Sequence, residues 1–212
     1  MKGKSMNSKL ALVAATTLAL SSSAFAADNS FAGFSVGLGL AAVGGELEVT
    51  DVAAGDTFTD AQTSTAGLLD LAYTFQLDSQ WAIAVGVTYD LNNIQAGQGK
   101  GIGYTYDQEF DKHYSVYLQP LFAVTANTAV FAKLGYHSMD LEGKVTGIPS
   151  HSEGYSGIGY GFGVKTFVTP NLYLQAEAQW LDLGSESFVY GGTDLKVKAS
   201  ANSGIFSVGY RF

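Results

Sequence analysis

The chain has 212 residues, a formal net charge of −8 and no cysteine. That length suits one domain, and the missing cysteines exclude a disulfide framework and thiol chemistry. All 19 acidic residues follow residue 26, against 8 of the 11 basic ones, so that segment carries a net charge of −11, which argues against a nucleic-acid partner because such partners need a basic patch.

The first element is a leader. Lys2, Lys4 and Lys9 precede a short apolar run over residues 10–20, and Ser21-Ser22-Ser23-Ala24-Phe25-Ala26 ends in an A-x-A site. This is the pattern of a secretory signal peptide. The run is shorter than the roughly 20 apolar residues that a spanning helix needs. Residues 1–26 are therefore expected to be a cleaved signal peptide, and residues 27–212 one exported domain.

From residue 34 onward a period of two recurs, the period of a strand with unlike faces. In residues 34–42, Phe34, Val36, Leu38 and Leu40 share one face. A polar, acidic loop is expected over about residues 44–62. Residues 64–77 alternate again, with Leu69, Leu71, Tyr73, Phe75 and Leu77 on the apolar face and Asp70 on the other. Asp78-Ser79-Gln80 reads as a tight turn. Residues 81–91 put Trp81, Ile83, Val85, Val87, Tyr89 and Leu91 over Ala82, Ala84, Gly86, Thr88 and Asp90.

A Gly-rich loop is expected over about residues 92–111. Residues 113–124 form the fourth strand, although Pro120 sits inside it, a residue usually confined to edges. Residues 125–128 turn into a fifth strand at 129–137, with Lys133 and His137 on the polar face. A third long loop is expected over about residues 138–156. In residues 157–168, Ile158, Tyr160, Phe162 and Val164 alternate with Gly157, Gly159, Gly161 and Gly163, followed by Lys165. Thr169-Pro170-Asn171 turns into residues 172–181, which place Glu177 on the polar face. A fourth loop is expected over about residues 182–198. The last strand, residues 204–212, carries Phe206, Val208, Tyr210 and Phe212 on one face and Arg211 on the other.

The pattern predicts an all-β protein, an eight-stranded antiparallel up-and-down barrel with three short turns and four long loops. Strands of about 10 residues suit a tilted membrane crossing, and short turns opposite long loops suit a transmembrane barrel. A soluble barrel would wet its polar face, where roughly 25–35% charged residues are usual. Here that face carries only Asp70, Asp90, Lys133, Lys165, Glu177 and Arg211. Gly, Ala, Ser and Thr dominate it instead, as a crowded interior requires. Aromatics also fall at two heights. Phe75, Trp81, Phe122, Tyr210 and Phe212 lie toward the turns. Tyr89, Tyr114, Tyr136, Tyr160 and Trp180 lie toward the loops, as lipid interfaces favour.

The six charges are expected to form a lumen network, because a charge in a narrow interior must be paired or hydrated. Register places Lys165 opposite Gln175 and diagonal to Glu177. It places Asp70 diagonal to Asp90, two carboxylates for which Lys133 is a candidate cation. No cofactor and no metal site is expected. Glu46, Glu48, Asp51, Asp56 and Asp60 lack fixed calcium-ligand spacing and read as a solvated anionic loop. His151 has no companion ligands.

Phe34-Ser35-Val36-Gly37-Leu38-Gly39, Phe131-Ala132-Lys133-Leu134-Gly135-Tyr136 and residues 204–212 carry a resemblance. In their order and spacing the chain resembles the small eight-stranded outer-membrane β-barrel family, the porin-like and opacity-protein group related to the OmpA membrane domain. The resemblance implies location in the bacterial outer membrane, outer-membrane lipid as solvent, and the β-barrel assembly machinery as a partner during biogenesis. That machinery would read Phe206, Val208, Tyr210 and Phe212 as the C-terminal assembly signal. The family has no shared catalytic residues to carry over, and no second, peptidoglycan-binding domain is expected in this chain. His113-Tyr114-Ser115 is similar to the His-x-Ser of outer-membrane lipid A deacylases. Tyr114, Val116 and Leu118 claim the lipid face, however, which turns His113 and Ser115 inward, and Val116 stands where that family has Asn. The expected role is structural or surface-interactive: envelope integrity, adhesion or partner binding through the loops. A narrow porin-like channel is the alternative, and a lipid-modifying enzyme the third reading.

Overall fold

Two unlike rows of side chains on every strand are stable only if one row is enclosed and the other meets a solvent of its own kind. The computed structural model describes residues 31–101, 104–145, 148–190 and 193–212; the expected signal peptide lies outside the described residues. The described residues form nine antiparallel strands: β1 (Gly33–Asp51), β2 (Thr57–Gln76), β3 (Trp81–Asp90), β4 (Ile94–Gly101), β5 (Tyr104–Ala123), β6 (Thr128–Val145), β7 (Ile148–Phe167), β8 (Leu172–Tyr190) and β9 (Thr193–Arg211). β3 and β4 are two parts of one stave, interrupted at residues 91–93. β3 pairs with β5 from Tyr89↔Tyr114 to Trp81↔Phe122, and β4 pairs with β5 above that. β1 closes on β9, from Ser35↔Arg211 to Asp51↔Leu195. The result is a closed eight-stave barrel.

The expected long loops are a correction. Apart from the short break before β4, they are extensions of the strands. β1 and β2 remain paired out to Thr50↔Thr57, β5 and β6 out to Tyr106↔Val145, and β8 and β9 out to Tyr190↔Thr193. Most staves thus run 18 to 20 residues. A membrane crossing needs only about 9–11. The apolar alternation stops where lipid stops, but backbone pairing does not, because hairpin strands satisfy each other's N–H and C=O groups whatever their faces meet. Above the membrane the outer face meets water and the inner face is only partly enclosed, by residues such as Ile94, Met139 and Leu183, so the hydrophobic period fades while the strand persists.

The three short turns share one device. Asp78 Oδ1 accepts hydrogen bonds from the backbone N–H groups of Gln80 (2.7 Å) and Trp81 (2.8 Å). Thr125 Oγ1 accepts from Asn127 and Thr128, and Thr169 Oγ1 from Asn171 and Leu172. Short polar side chains favour turns through such bonds. The two N–H donors hold the Asp78 carboxyl below its usual range. Pro120 faces outward, and the β5–β6 ladder skips Gln119 and Pro120 yet resumes in the same register at Leu121↔Phe131. The missing N–H costs one rung and does not shift the strand.

Two bulges re-aim the upper strands. The β5–β6 register shifts between Asp111 and Tyr114, where Lys112 has φ 52°, and the β8–β9 register shifts between Asp182 and Ser185, at Gly184 with φ 77°. An extra residue reverses which side chains face inward. Below the first bulge Ser115, Tyr117 and Gln119 are enclosed, and above it Phe110 packs inward. Lys112 points out and pairs with Asp140 at 3.2 Å, which holds its ammonium above the usual lysine range.

The outer face is apolar. Leu38, Leu40, Phe75, Val85, Val116, Leu134, Phe162 and Phe206 are all exposed, while Asp70, Lys133, Lys165 and Glu177 are buried inside. This is the inverse of a water-soluble barrel and fits a lipid solvent. The two aromatic groups lie where expected: Trp81 packs at a tilt against Phe122 and Tyr210 edge-on against Phe212 near the turns, and Tyr160 stacks beside Trp180 nearer the hairpins.

Candidate functional site in the barrel lumen

An eight-stave barrel is just wide enough for its own side chains, so the inward rows decide what the lumen can do. From the turn end upward they form three layers and a cavity.

The lowest layer is an apolar floor. Phe31, Ala82, Ala84, Leu121, Ala129, Phe131, Phe167 and Tyr173 form one buried cluster. Phe167 packs edge-on against Phe31 at 5.6 Å and against Tyr173 at 5.7 Å. Phe31 lies ahead of β1, and its N–H donates to Gln76 Oε1 at 2.9 Å. The Arg211 guanidinium lies 4.4 Å from the Phe167 ring centre and donates to the Pro170 carbonyl. Arg211 therefore sits at the level of the floor, below the other charges but within electrostatic reach of Lys165.

The next layer holds the charges. Lys133 Nζ donates to Glu177 Oε2 at 3.1 Å, and Gln175 reaches the same oxygen at 3.5 Å. The Lys133 ammonium also sits 4.2 Å from the centre of the Tyr117 ring. Tyr117 in turn donates its hydroxyl to Asp70 Oδ2 at 2.8 Å. Lys165 lies over the Tyr173 ring at 4.4 Å.

Two expectations about this layer are corrected. Lys165 does stand opposite Gln175, but Glu177 takes Lys133 and not Lys165. Asp70 stands opposite Thr88, yet Asp70 and Asp90 do not share Lys133: Asp70 takes the Tyr117 hydroxyl and Asp90 the His113 ring. The reason is the glycine row of β7. Lys133 is on β6 and Glu177 on β8, with Gly161 and Gly163 of β7 between them. A Cβ at Gly161 would lie 3.3 Å from Glu177 Oε1, and one at Gly163 would run into the Phe131 ring. Bare backbone lets side chains two staves apart meet over it.

The third layer is a chain of hydrogen bonds across the barrel. Asp90 Oδ2 accepts from His113 Nδ1 at 2.8 Å. His113 Nε2 and His137 Nδ1 are 2.9 Å apart, and His137 Nε2 is 3.4 Å from Gln179 Nε2. With both rings neutral the donors run one way: Gln179 to His137, His137 to His113, His113 to Asp90. Sequence reading placed His113 and Ser115 inward but missed this chain. The signal was available in the register, since Ser115 faces both Thr88 and His137, which brings Asp90 and His113 together one pair higher. Ser115 itself is fully buried and hydrogen-bonded to Thr88. The His151 side chain and the Asp60 side chain lie outside the described residues. Asp51 caps its own hairpin turn, accepting from Ala53 and Ala54.

Alongside and above these layers the lumen holds a cavity of about 80 Å³ that runs from Tyr173 and the Lys133–Glu177 pair up to the exposed Glu46 at the hairpin end. Phe206, Val208, Tyr210 and Phe212 are all outward on β9, and Phe212 N–H donates to the Phe34 carbonyl at 2.9 Å, sealing the β1–β9 seam.

A family model described as "Outer membrane protein beta-barrel domain" matches residues 12–212. Ail, the attachment invasion locus protein of Yersinia pestis, solved in complex with the heparin analogue sucrose octasulfate, superposes with a TM-score of 0.54 at 18% identity, covering 85% of this chain and 99% of Ail. OprG from Pseudomonas aeruginosa superposes with a TM-score of 0.51 at 16% identity, covering 85% and 96%. At such identities these likenesses concern the fold. No curated protein matches the chain in sequence.

Proposed function

The chain belongs to the outer-membrane β-barrel family, and from that premise we propose that it is a closed barrel whose task is surface interaction through a rigid acidic crown. It sits in the bacterial outer membrane with its apolar face toward lipid. The observation that carries the reading is the continuation of the strands to about twice the length of a membrane crossing. The crown is a set of paired hairpins, stiff enough to hold a binding surface in place. Residues 44–62, 92–112, 138–156 and 182–198 hold fourteen acidic and five basic residues, a net of −9, while the six lumen charges balance three against three. Such a crown attracts cationic partners and repels polyanions, so a ligand like that of Ail is not expected here.

A narrow channel is the second reading, favoured by the cavity that enters the lumen from the hairpin end. The aromatic floor and the Lys133–Glu177 pair stand against it. Single-channel recording in planar bilayers separates the two: no steady conductance is expected, and a steady open current insensitive to Glu177→Ala would promote the pore. Enzymatic action on lipid is disfavoured because Ser115 is enclosed by Thr88 and faces the lumen. The outward row Phe206, Val208, Tyr210 and Phe212 is read as the assembly signal. Phe212→Ala should lower the amount of folded barrel in cells far more than it lowers the stability of refolded barrel; equal effects would refute that role.

A further inference from the structure

The cavity alongside and above the lumen charges has an unusual combination of walls and charges. Leu68, Ile94, Phe110, Met139, Leu181 and Ile205 supply apolar wall. The charged groups on it are Glu46, Asp70, Asp90 and Glu177 against a single ammonium, Lys133. Lys133 is already bound to Glu177 at 3.1 Å. Asp70 accepts from the Tyr117 hydroxyl and Asp90 from the His113 ring, each through one oxygen. Glu177 Oε1 is buried and, among the described residues, has no hydrogen-bond partner.

We propose that this cavity binds a small organic cation, an ammonium carried on a short apolar body. Carboxylates in a partly dry enclosure hold a cation far more strongly than they would in water. Lys133 and Lys165, the latter just below and within electrostatic reach of Asp70 and Glu177, offset two of the four, so the cavity keeps a net negative charge. An anion would meet net repulsion. A bare metal ion would meet no cluster of three or more His, Asp or Glu ligands among the described residues, so its lost hydration would not be replaced. The walls suit hydrocarbon, and burying each methylene stabilises by about 0.8 kcal/mol. The space is that of roughly six waters, which limits the ligand to a body of a few carbons. Because the cavity is reached from the hairpin end, the cation would enter from outside and stop at the charged layer. This site goes beyond the surface reading and does not depend on it.

The test uses isotope-labelled protein purified from outer membranes into lipid nanodiscs, titrated with n-butylammonium, n-butanol and butyrate. Butylammonium should shift the side-chain amide signals of Gln175 and Gln179 saturably, with a millimolar midpoint. Butanol should bind at least tenfold more weakly, and butyrate not at all. Asp90→Asn should weaken butylammonium binding at least tenfold, Glu46→Gln severalfold, and Glu48→Gln, outside the cavity, not measurably. Should Asp90→Asn fail to fold, as judged by loss of heat-modifiable mobility in electrophoresis, Glu46→Gln at the exposed rim carries the comparison. Equal shifts by butyrate, shifts that rise linearly without saturating, or binding indifferent to both Asp90→Asn and Glu46→Gln would overturn the proposal.

Discussion

Lys133 and Glu177 meet at 3.1 Å across a stave that puts no side chain between them. The pair is almost wholly buried. Removing one member of such a pair leaves an uncompensated charge and typically costs about 3–5 kcal/mol, whereas replacing both by apolar groups can be nearly neutral. Lys133→Met and Glu177→Leu should each therefore destabilise the barrel strongly, and the double variant should recover most of the loss. Reversible urea unfolding in phospholipid vesicles gives the coupling. Additive losses would mean that the two side chains do not depend on each other.

The lipid face and the lumen face differ by one residue on β3. Val85 is exposed between Tyr73 and Leu118, its register partners, which are exposed too. Val85→Arg should cost roughly 2–4 kcal/mol if it lies near the bilayer midplane. Gly86 faces Tyr117 so closely that an added Cβ would strike the phenol and lie 2.8 Å from the Leu71 carbonyl. Gly86→Ala should accordingly displace Tyr117 from Asp70 and destabilise the barrel by a different route, visible as a changed tyrosine environment in near-ultraviolet circular dichroism. A tolerated Gly86→Ala would contradict the register.

How much of this was legible in the sequence varies with the physics. A period of two over lipid-facing strands is a strong signal, so the stave count, the closure of β9 on β1, and the inward placement of Asp70, Lys133, Lys165 and Glu177 all follow from it. The hairpin extensions were hidden because strands such as residues 44–51 have water outside and only a partly enclosed inner face, which leaves no clear period to show. The ion-pair partners were hidden for another reason. Diagonal reasoning considers adjacent strands only, and Gly161 and Gly163 let Lys133 reach past β7. The Asp90–His113–His137–Gln179 chain spans four staves, so no local window of sequence contains it.

The topology predicts which positions an impermeant reagent can reach. The chain has no cysteine, so each introduced thiol is the sole target. Ala54→Cys and Ser185→Cys, both exposed in the crown, should react with a membrane-impermeant maleimide on intact cells. Ser79→Cys in the β2–β3 turn should react only after the outer membrane is opened. The reverse pattern would invert the barrel.

The turn at Asp78 should weaken in acid. Its carboxyl is held below the ordinary value of 3.8 by the N–H groups of Gln80 and Trp81. A depressed carboxyl contributes stability that is fully present above its unfolded value and is lost as pH falls through its lower folded value. The difference in urea midpoint between the unaltered barrel and Asp78→Ala should thus be constant at neutral pH and shrink below about pH 3.8. A difference independent of pH down to 2 would assign the turn's stability to something other than this carboxylate.

The floor offers the sharpest separation between a closed barrel and a pore. Tyr173 fills the lumen beneath Lys165 and against Phe167, and it fits because the facing residue of β9 is Gly209. A Cβ there would fall inside the phenol ring. Gly209→Val should push Tyr173 out of its place, lower stability and raise ion leak together. Tyr173→Phe removes only the hydroxyl and keeps the ring, so it should leave leak unchanged. Tyr173→Ala opens the floor without touching the backbone, leaving a hole beside Phe167 and Phe31 in which water can connect the turn end to the charged layer. Its leak should exceed that of the unaltered barrel severalfold in planar bilayers, with Lys133 and Glu177 then setting ion selectivity. If Tyr173→Ala conducts no better than the unaltered protein, closure rests on the Lys133–Glu177 layer alone. The Lys133→Met and Glu177→Leu double variant should then be combined with it before the barrel opens.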